Sequence, residues 1–104
     1  MEKHENDSGQ IGVIVSGGYG AGWSTWGGDS EFLSMDKTLV EMKLREASQE
    51  EVEEYYKKVK GEPPYMGGWD DAEVEWLDKG TVFIIEEYDG HESLRLASDL
   101  NMTA

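Results

Sequence analysis

The sequence contains no cysteine among its 104 residues. This absence excludes disulfide bonds, thiolate catalysis and cysteine-based zinc sites, and it is consistent with a reducing compartment. The two histidines, His4 and His91, stand far apart in the chain, and neither has the neighbouring ligands that zinc needs. We therefore predict no metal site and no cofactor.

Long apolar segments are also missing. No stretch approaches the roughly 20 residues that a membrane-spanning helix requires. Residues 1–10 are polar and of mixed charge, unlike the residues of a signal peptide. We therefore expect a cytoplasmic protein that has no membrane partner.

Basic side chains are scarce. Nine Lys and Arg residues stand against 23 Asp and Glu residues, which gives a formal net charge of −14. Such a charge repels nucleic acid and anionic membranes, and it favours a basic protein surface as a partner. Solvated, Glu-rich helix faces would produce the same balance without any binding role. Nucleic acid is therefore not an expected partner.

The length suits one domain with a modest hydrophobic core. Runs that are rich in β-branched and aromatic residues predict three strands, at 11–16, 73–77 and 81–88. Asp78-Lys79-Gly80 joins the last two runs, and this short connection predicts a hairpin. A further short strand at 92–96 follows the turn signal Asp89-Gly90.

Two helices are predicted between the strands. The first begins at Ser34 or Asp36, both of which are good N-cap residues, and it runs to about Ala47. The second begins at Ser48, which forms a capping box with Glu51, and it carries an apolar stripe at helical spacing. The expected fold is therefore α+β, with a small antiparallel sheet packed against two helices.

The ends of the chain are expected to lie outside the core. Residues 1–10 are predicted to be a flexible tail, residues 11–98 a single domain, and residues 99–104 a frayed C-terminus. Gly61 and the Pro63-Pro64 pair end the second helix within that domain.

Residues 17–28 form the most unusual segment, the glycine–aromatic loop, in which half of the residues are Gly and a quarter are aromatic. Aromatic rings offer flat faces to a planar ligand, and glycines let backbone N–H groups approach an anion. The same segment could instead be a turn whose Trp residues fill the core. Tyr65 is a further candidate beside the loop. The predicted ligand-binding residues are Tyr19, Gly20, Gly22, Trp23, Ser24, Thr25, Trp26, Trp69 and Tyr88.

The loop matches neither common phosphate-binding motif. No Lys occurs between Lys3 and Lys37, which excludes a Walker-type loop. Trp23 stands where the dinucleotide-binding fingerprint needs its third glycine.

The acidic run Glu86-Glu87-Tyr88-Asp89, which is followed by His91 and Glu92, could supply oxygen ligands to a cation or an acid–base pair. Adjacent residues of a strand point to opposite faces, so Glu86 and Glu87 cannot share a site if the strand is regular. A solvated strand end with its turn is the alternative interpretation.

Two blocks of the sequence resemble small uncharacterised proteins encoded by tailed phages. The first block combines 11–16 with Ala21-Gly22-Trp23-Ser24-Thr25-Trp26, and the second combines 74–76 with Glu86-Glu87-Tyr88-Asp89-Gly90. Gly27 departs from the resemblance, because Asn would be expected after the second Trp. The resemblance implies a phage-like origin and a site of action in the cytoplasm of an infected bacterium, but it carries no assigned activity.

In that setting the expected role is counter-defence by binding and not by turnover. The first expectation is that the chain sequesters a nucleotide-derived immune signal without cleaving it, with the glycine–aromatic loop stacking on the base. The alternatives are an acidic DNA mimic, a direct inhibitor of a host defence protein, and a small hydrolase that uses Glu86 or Glu87 as a base.

Two further points stay open at this level. A phosphate-bearing ligand would meet a repulsive field, so it would need local cations. The candidates are Lys37, Lys43, Arg45 and Arg95. Self-association into a homo-oligomer is favoured by the apolar and aromatic content and opposed by the charge.

Overall fold

The computed structural model describes residues 1–97, which fold into four helices and four strands. The elements are β1 (Gln10–Ser16), α1 (Ser24–Gly27), α2 (Ser30–Met35), α3 (Lys37–Leu44), α4 (Gln49–Lys60), β2 (Ala72–Asp78), β3 (Phe83–Tyr88) and β4 (His91–Leu96). The predicted α+β class is confirmed, as is the antiparallel pairing of its strands.

The strands form two antiparallel pairs instead of one sheet: β1 pairs with β2, and β3 pairs with β4. The predicted hairpin between 73–77 and 81–88 is therefore wrong. Asp78-Lys79-Gly80 does turn the chain, with Thr81 N–H donating to Asp78 O at 3.0 Å, but the chain then enters the second sheet. β3 pairs with β4 through a tighter turn. Asp89 and Gly90 form this turn with φ values of 50° and 87°, as a two-residue type I′ hairpin requires.

The two predicted helices, α3 and α4, begin where their capping residues predict. The Asp36 side chain accepts a hydrogen bond from Leu39 N–H at 3.2 Å, and the Ser48 hydroxyl accepts one from Glu51 N–H at 3.3 Å. Gly61 ends α4 in the left-handed conformation, which glycine adopts without strain. The sequence did not predict α1 and α2, and the helix that was expected to reach Ala47 ends at Leu44.

The main hydrophobic core contains side chains from β1, α2, α3, α4 and β2 and from the segments that connect the helices and strands. Its members are Ile14, Trp23, Leu33, Leu39, Val40, Ala47, Val52, Tyr56, Trp69 and Ala72. Phe32 and Tyr55 pack against this core with their rings stacked, 6.5 Å between centroids. The buried half of the glycine–aromatic loop is therefore part of the core.

Residues 1–10, which were expected to be a flexible tail, lie against the domain. Gly12 N–H donates to His4 O at 3.0 Å, and Lys37 N–H donates to Glu2 O at 2.9 Å. His4 Nδ1 also lies 3.0 Å from a Glu41 carboxylate oxygen. These bonds occupy backbone groups at one edge of β1, which explains why the segment does not extend into solvent. The expected fraying of residues 99–104 lies outside the described residues.

Candidate functional site

The glycine–aromatic loop is divided into a buried and an exposed half. Trp23 and Ser24 are completely buried, whereas Tyr19 is 68% exposed and Trp26 is 43% exposed. The buried Ser24 hydroxyl finds no hydrogen-bond partner among residues 1–97, and it faces protein instead of solvent. Only the exposed half can meet a ligand without a rearrangement of the core.

Trp23 and Trp69 are core residues, which corrects their prediction as ligand-stacking residues. Their rings pack against each other with centroids 5.2 Å apart. Trp23 Nε1 donates to Leu33 O at 2.7 Å, and Trp69 Nε1 donates to Ala47 O at 3.0 Å. A buried indole is stable in this way because its large apolar surface is covered and its single donor is satisfied.

The side chain of Glu92, which is only 3% exposed, binds backbone donors at the glycine–aromatic loop, although these are not the glycine N–H groups that were expected to bind a ligand. One carboxylate oxygen accepts a hydrogen bond from Ser16 N–H at 2.8 Å. The other accepts from Trp23 N–H at 2.9 Å, from Thr25 N–H at 3.0 Å and from the Thr25 hydroxyl at 2.6 Å. An anion does bind the loop, but it belongs to the protein itself.

Sequence reasoning placed Glu92 only in the acidic run and did not predict its buried role, although a signal was present. In β4, Glu92 lies on the same face as Leu94 and Leu96, because strand side chains alternate between faces. An acidic residue that continues an apolar stripe indicates a carboxylate that points inward. Such a group needs several donors, since a buried charge without hydrogen bonds is strongly unfavourable.

Of the glycines in the predicted site, Gly20 adopts a positive φ and Gly22 packs against the Thr25 and Trp26 side chains, whereas two glycines outside that set serve close backbone packing. A Cβ atom on Gly68 would collide with the carbonyl of Gly22, and one on Gly90 would collide with the backbone of Ala21. Gly20 N–H also donates to Asp89 O. The first loop is therefore held between the second glycine-containing loop and the β3–β4 turn, and glycine is needed there because the backbones touch.

The exposed half of the loop meets the turn between β3 and β4 in a surface that we call the aromatic tip. Its members are Tyr19, Trp26, Tyr65, Tyr88 and His91. Tyr19 stacks on His91 with ring centroids 4.9 Å apart and an interplanar angle of 13°. Tyr88 lies opposite His91 in the hairpin and is 78% exposed. The structure thus places Tyr19 and Tyr88 beside His91, and Trp26 beside Tyr65, and it leaves the buried residues of the predicted set out.

Glu87 fixes one side of the aromatic tip. Trp26 Nε1 donates to a Glu87 carboxylate oxygen at 3.0 Å, and Gly90 N–H donates to the same oxygen at 2.7 Å. The Gly90 bond, followed by the Trp26 bond, holds the pKa of Glu87 below its ordinary value. The Trp26 ring also lies 6.0 Å from the Tyr65 ring, so a charged carboxylate stands beside two partly exposed aromatic faces.

The cations that could have balanced a phosphate have other partners. Lys37 Nζ lies 3.9 Å from Glu2, and an Arg45 nitrogen lies 3.0 Å from Glu51. Lys43 Nζ donates to the Trp69 carbonyl, and burial lowers the pKa of this lysine. Arg95 Nε binds Glu86 at 2.8 Å on the outer face of the hairpin. The surroundings of the aromatic tip are therefore acidic, because Glu86 and Glu87 lie at the end of β3 and Asp89 lies in the turn that follows.

Four surface cavities of about 130 to 290 Å³ lie on other parts of the molecule, and none of them is lined by the glycine–aromatic loop. Residues 1–97 contain no cluster of three or more His, Asp or Glu side chains arranged to hold a metal ion. No helix within the same residues is long and apolar enough to cross a bilayer.

Comparison of the chain with protein-family models, with curated proteins and with solved structures gave no match. The resemblance of the two sequence blocks to tailed-phage proteins therefore stays a prediction. The function is inferred from the chemistry of the aromatic tip.

Proposed function

We propose that the chain is a binding protein whose aromatic tip recognises a cationic side chain, above all arginine, on a basic protein partner. One observation carries this proposal: the partly exposed ring of Trp26 lies beside the fixed carboxylate of Glu87 on a chain with a net charge of −14. The proposal corresponds to the direct protein inhibitor among the functions that the sequence predicts.

The chemistry of the tip suits a guanidinium group. A flat cation stacks on an aromatic face within about 6 Å of the ring centre, and this contact contributes about 0.5–1 kcal/mol at an exposed site. Arginine also forms paired hydrogen bonds with a carboxylate, which lysine cannot do with the same geometry. Trp26 offers a partly exposed ring beside Glu87, a carboxylate whose position is already fixed, and Tyr88 offers the most exposed ring on the opposite face of β3.

A nucleotide-derived ligand finds less support. Its phosphates would need backbone donors, but those of Ser16, Trp23 and Thr25 already bind Glu92. Its base would lose Trp23 and Trp69 as stacking partners, because both are buried. A phosphate would also meet uncompensated acidic groups at the tip, which repel it.

The other two alternatives are also weaker. A hydrolase would need a basic carboxylate, but the lowered pKa of Glu87 makes that side chain a poorer proton acceptor. Glu86 points to the opposite face of β3, because the strand is regular from Phe83 to Tyr88. A DNA mimic would use carboxylates alone, which gives no role to the exposed rings of Tyr19 and Tyr88.

In the phage setting that the sequence resemblance implies, the partner would be a basic protein of the infected bacterium, and counter-defence would follow from covering its surface. The net negative charge would accelerate the encounter with such a partner, and this steering would weaken as the salt concentration rises. The identity of the partner is left to the experiment.

The proposal is tested by calorimetric titration of the protein with hexa-arginine and hexa-lysine peptides, and with cyclic dinucleotides and ADP-ribose. We expect hexa-arginine to bind more tightly than hexa-lysine, although the two peptides carry the same charge. Tyr88→Ala should weaken the binding of hexa-arginine about two- to fivefold, the equivalent of one exposed cation–π contact.

Val59→Ala is the matched control, because Val59 is 50% exposed on α4 and its truncation also leaves the net charge unchanged. This variant should bind hexa-arginine as the unmodified protein does. If hexa-arginine and hexa-lysine bind equally and Tyr88→Ala has no effect, the net charge of the chain alone explains the binding, and the proposed site is refuted. Binding of a nucleotide without binding of hexa-arginine would restore the nucleotide function in its place.

A further inference from the structure

The second sheet has an edge without a strand partner within residues 1–97. β3 pairs with β4 on one side only. Apolar side chains are exposed along this part of the chain, with Val82 70% exposed and Ile84 48% exposed. The stretch from Val82 to Ile85 contains no charge and no proline, which are the features that usually protect an edge strand from pairing.

The backbone groups that point away from β4 can be identified from the ladder. Ala97 N–H donates to Val82 O at 3.0 Å, so the peptide groups of Val82 face β4. Because this direction alternates along an antiparallel strand, Ile84 also faces β4, whereas the N–H and C=O groups of Phe83 and Ile85 face outward. An additional strand must therefore hydrogen-bond to Phe83 and Ile85.

We propose that this edge pairs with β3 of a second copy of the chain, with a two-fold axis at Ile84, and so joins the two hairpins into one four-stranded antiparallel sheet. In this register the outward groups of Phe83 meet those of Ile85 of the second copy, and the reverse pair forms by symmetry. Ile84 lies opposite its own copy as a pair without ladder bonds, where side chains approach most closely.

The register also separates the acidic residues. Glu86 lies opposite Val82 of the second copy, and Glu87 lies opposite Thr81, so no two carboxylates face each other across the new pair. On the inner face, Phe83 and Ile85 continue the apolar row that Leu94 and Leu96 provide in β4. A second copy thus matches this edge in both charge and hydrophobicity.

The surroundings of the edge leave room for the added strand. A groove of about 260 Å³ lies between α2 and β3, lined by Ser30, Glu31, Ser34 and Met35 on the helix side and by Phe83 to Ile85 on the strand side, so Glu31 places one carboxylate beside this edge. The helix therefore flanks the edge without filling the space beside it. Dimer formation is opposed by the electrostatic repulsion between two chains of charge −14, and salt screens this repulsion.

The experiment measures the mass of the full chain in solution by light scattering. At submillimolar protein in roughly 0.5 M NaCl, where the Debye length falls to about 4 Å, we expect twice the 11.7 kDa of one chain. Ile84→Lys should raise the dissociation constant by at least about tenfold, because it buries two facing charges at the axis. Leu44→Lys is the control, since Leu44 is equally exposed at 48% on α3, and it should leave the dimer intact.

Cysteine cross-linking tests the register independently. The protein has no cysteine, so Ile84→Cys and Leu44→Cys each introduce a single thiol. Paired Cα atoms at such a position lie about 4.5 Å apart, within the range that a disulfide spans. We expect oxidation to convert Ile84→Cys to a covalent dimer and to leave Leu44→Cys a monomer. A single-chain mass at every salt concentration, or equal cross-linking of the two variants, would overturn the proposal.

Discussion

We predict that the hydrogen bonds accepted by the buried Glu92 carboxylate are the main stabilising contact between the glycine–aromatic loop and the β3–β4 hairpin. Glu92→Gln keeps the shape of the side chain but replaces one oxygen atom with an NH2 group. If the amide oxygen faces Trp23 and Thr25, the NH2 group faces Ser16 N–H, and two donors then meet without an acceptor. The opposite orientation of the amide is worse, because the oxygen that is replaced accepts three hydrogen bonds.

The cost follows from the four bonds that Glu92 accepts. Leaving the buried Ser16 N–H without an acceptor costs about 1–3 kcal/mol. The other three bonds lose their charge assistance, and each falls from about 1.5–3 to about 1 kcal/mol. A neutral amide is less costly to bury than a carboxylate, which offsets part of this loss. We expect a net loss of about 2–4 kcal/mol in the free energy of unfolding, and a melting temperature lower by roughly 10–20 °C.

Urea denaturation followed by tryptophan fluorescence measures this loss, because Trp23 and Trp69 are buried in the folded state. Glu86→Gln is the matched control: it makes the same chemical change in the same hairpin, but it breaks only an exposed ion pair with Arg95. That change should cost less than about 1 kcal/mol. If the free energies of unfolding of Glu92→Gln and of the control agree within about 0.5 kcal/mol, the hydrogen bonds of Glu92 do not stabilise the contact between the loop and the hairpin as argued above.

Two further predictions concern the residues around the aromatic tip. Trp23→Ala should lower the free energy of unfolding, measured by urea denaturation, by about 3–5 kcal/mol, because it leaves a cavity in the core. Trp26→Ala should lower it by about 1 kcal/mol or less. Similar losses for the two variants would contradict the division of the loop into a buried and an exposed half. The folded-state pKa of Glu87 lies below the ordinary 4.5, so its ionised form stabilises the protein above that pH and loses this effect as the pH falls through the lowered pKa. The difference in melting temperature between the protein and Glu87→Gln should therefore be constant at neutral pH and shrink on acidification, and a difference that grows below pH 4.5 would reverse the assigned sign.

Local features were predictable from the sequence because their causes are local. Ser48 and Gly61 bound α4 through hydrogen bonds and backbone angles within a few residues of each end. Asp89-Gly90 was also recognisable as a turn, since these two residues tolerate the positive φ values that a type I′ hairpin demands. In each case a short segment contains all of the interacting groups.

The pairing of strands was not predictable in the same way. β2 could have closed a hairpin with β3 through Asp78-Lys79-Gly80, but it pairs instead with β1, which is more than 50 residues away in the chain. Both pairings satisfy the alternation of apolar and polar residues. The choice depends on the competing turn at Asp89-Gly90 and on the burial of β1, and neither can be weighed from the local pattern.

The glycine–aromatic loop was ambiguous for a physical reason. A glycine allows close approach equally well to a ligand and to another backbone segment, and the sequence does not name the partner. Here Gly68 and Gly90 provide the approach, and Glu92, 69 residues from Trp23, provides the anion. The sequence predicted an external anion at the loop, and the structure shows an internal carboxylate that binds backbone donors there.

This internal anion also determines what the aromatic tip can do. Tyr19 and Trp26 flank the segment that Glu92 holds by Trp23 and Thr25, so their backbone positions are fixed before any partner arrives. Glu87 then orients the Trp26 ring, which reduces the side-chain entropy that would be lost on binding. A cation that stacks on such a surface gains most of the contact energy, whereas a phosphate would have to displace Glu92 and expose a buried charge. On the proposed function, the same hydrogen bonds that stabilise the fold would favour positively charged partners over negatively charged ones.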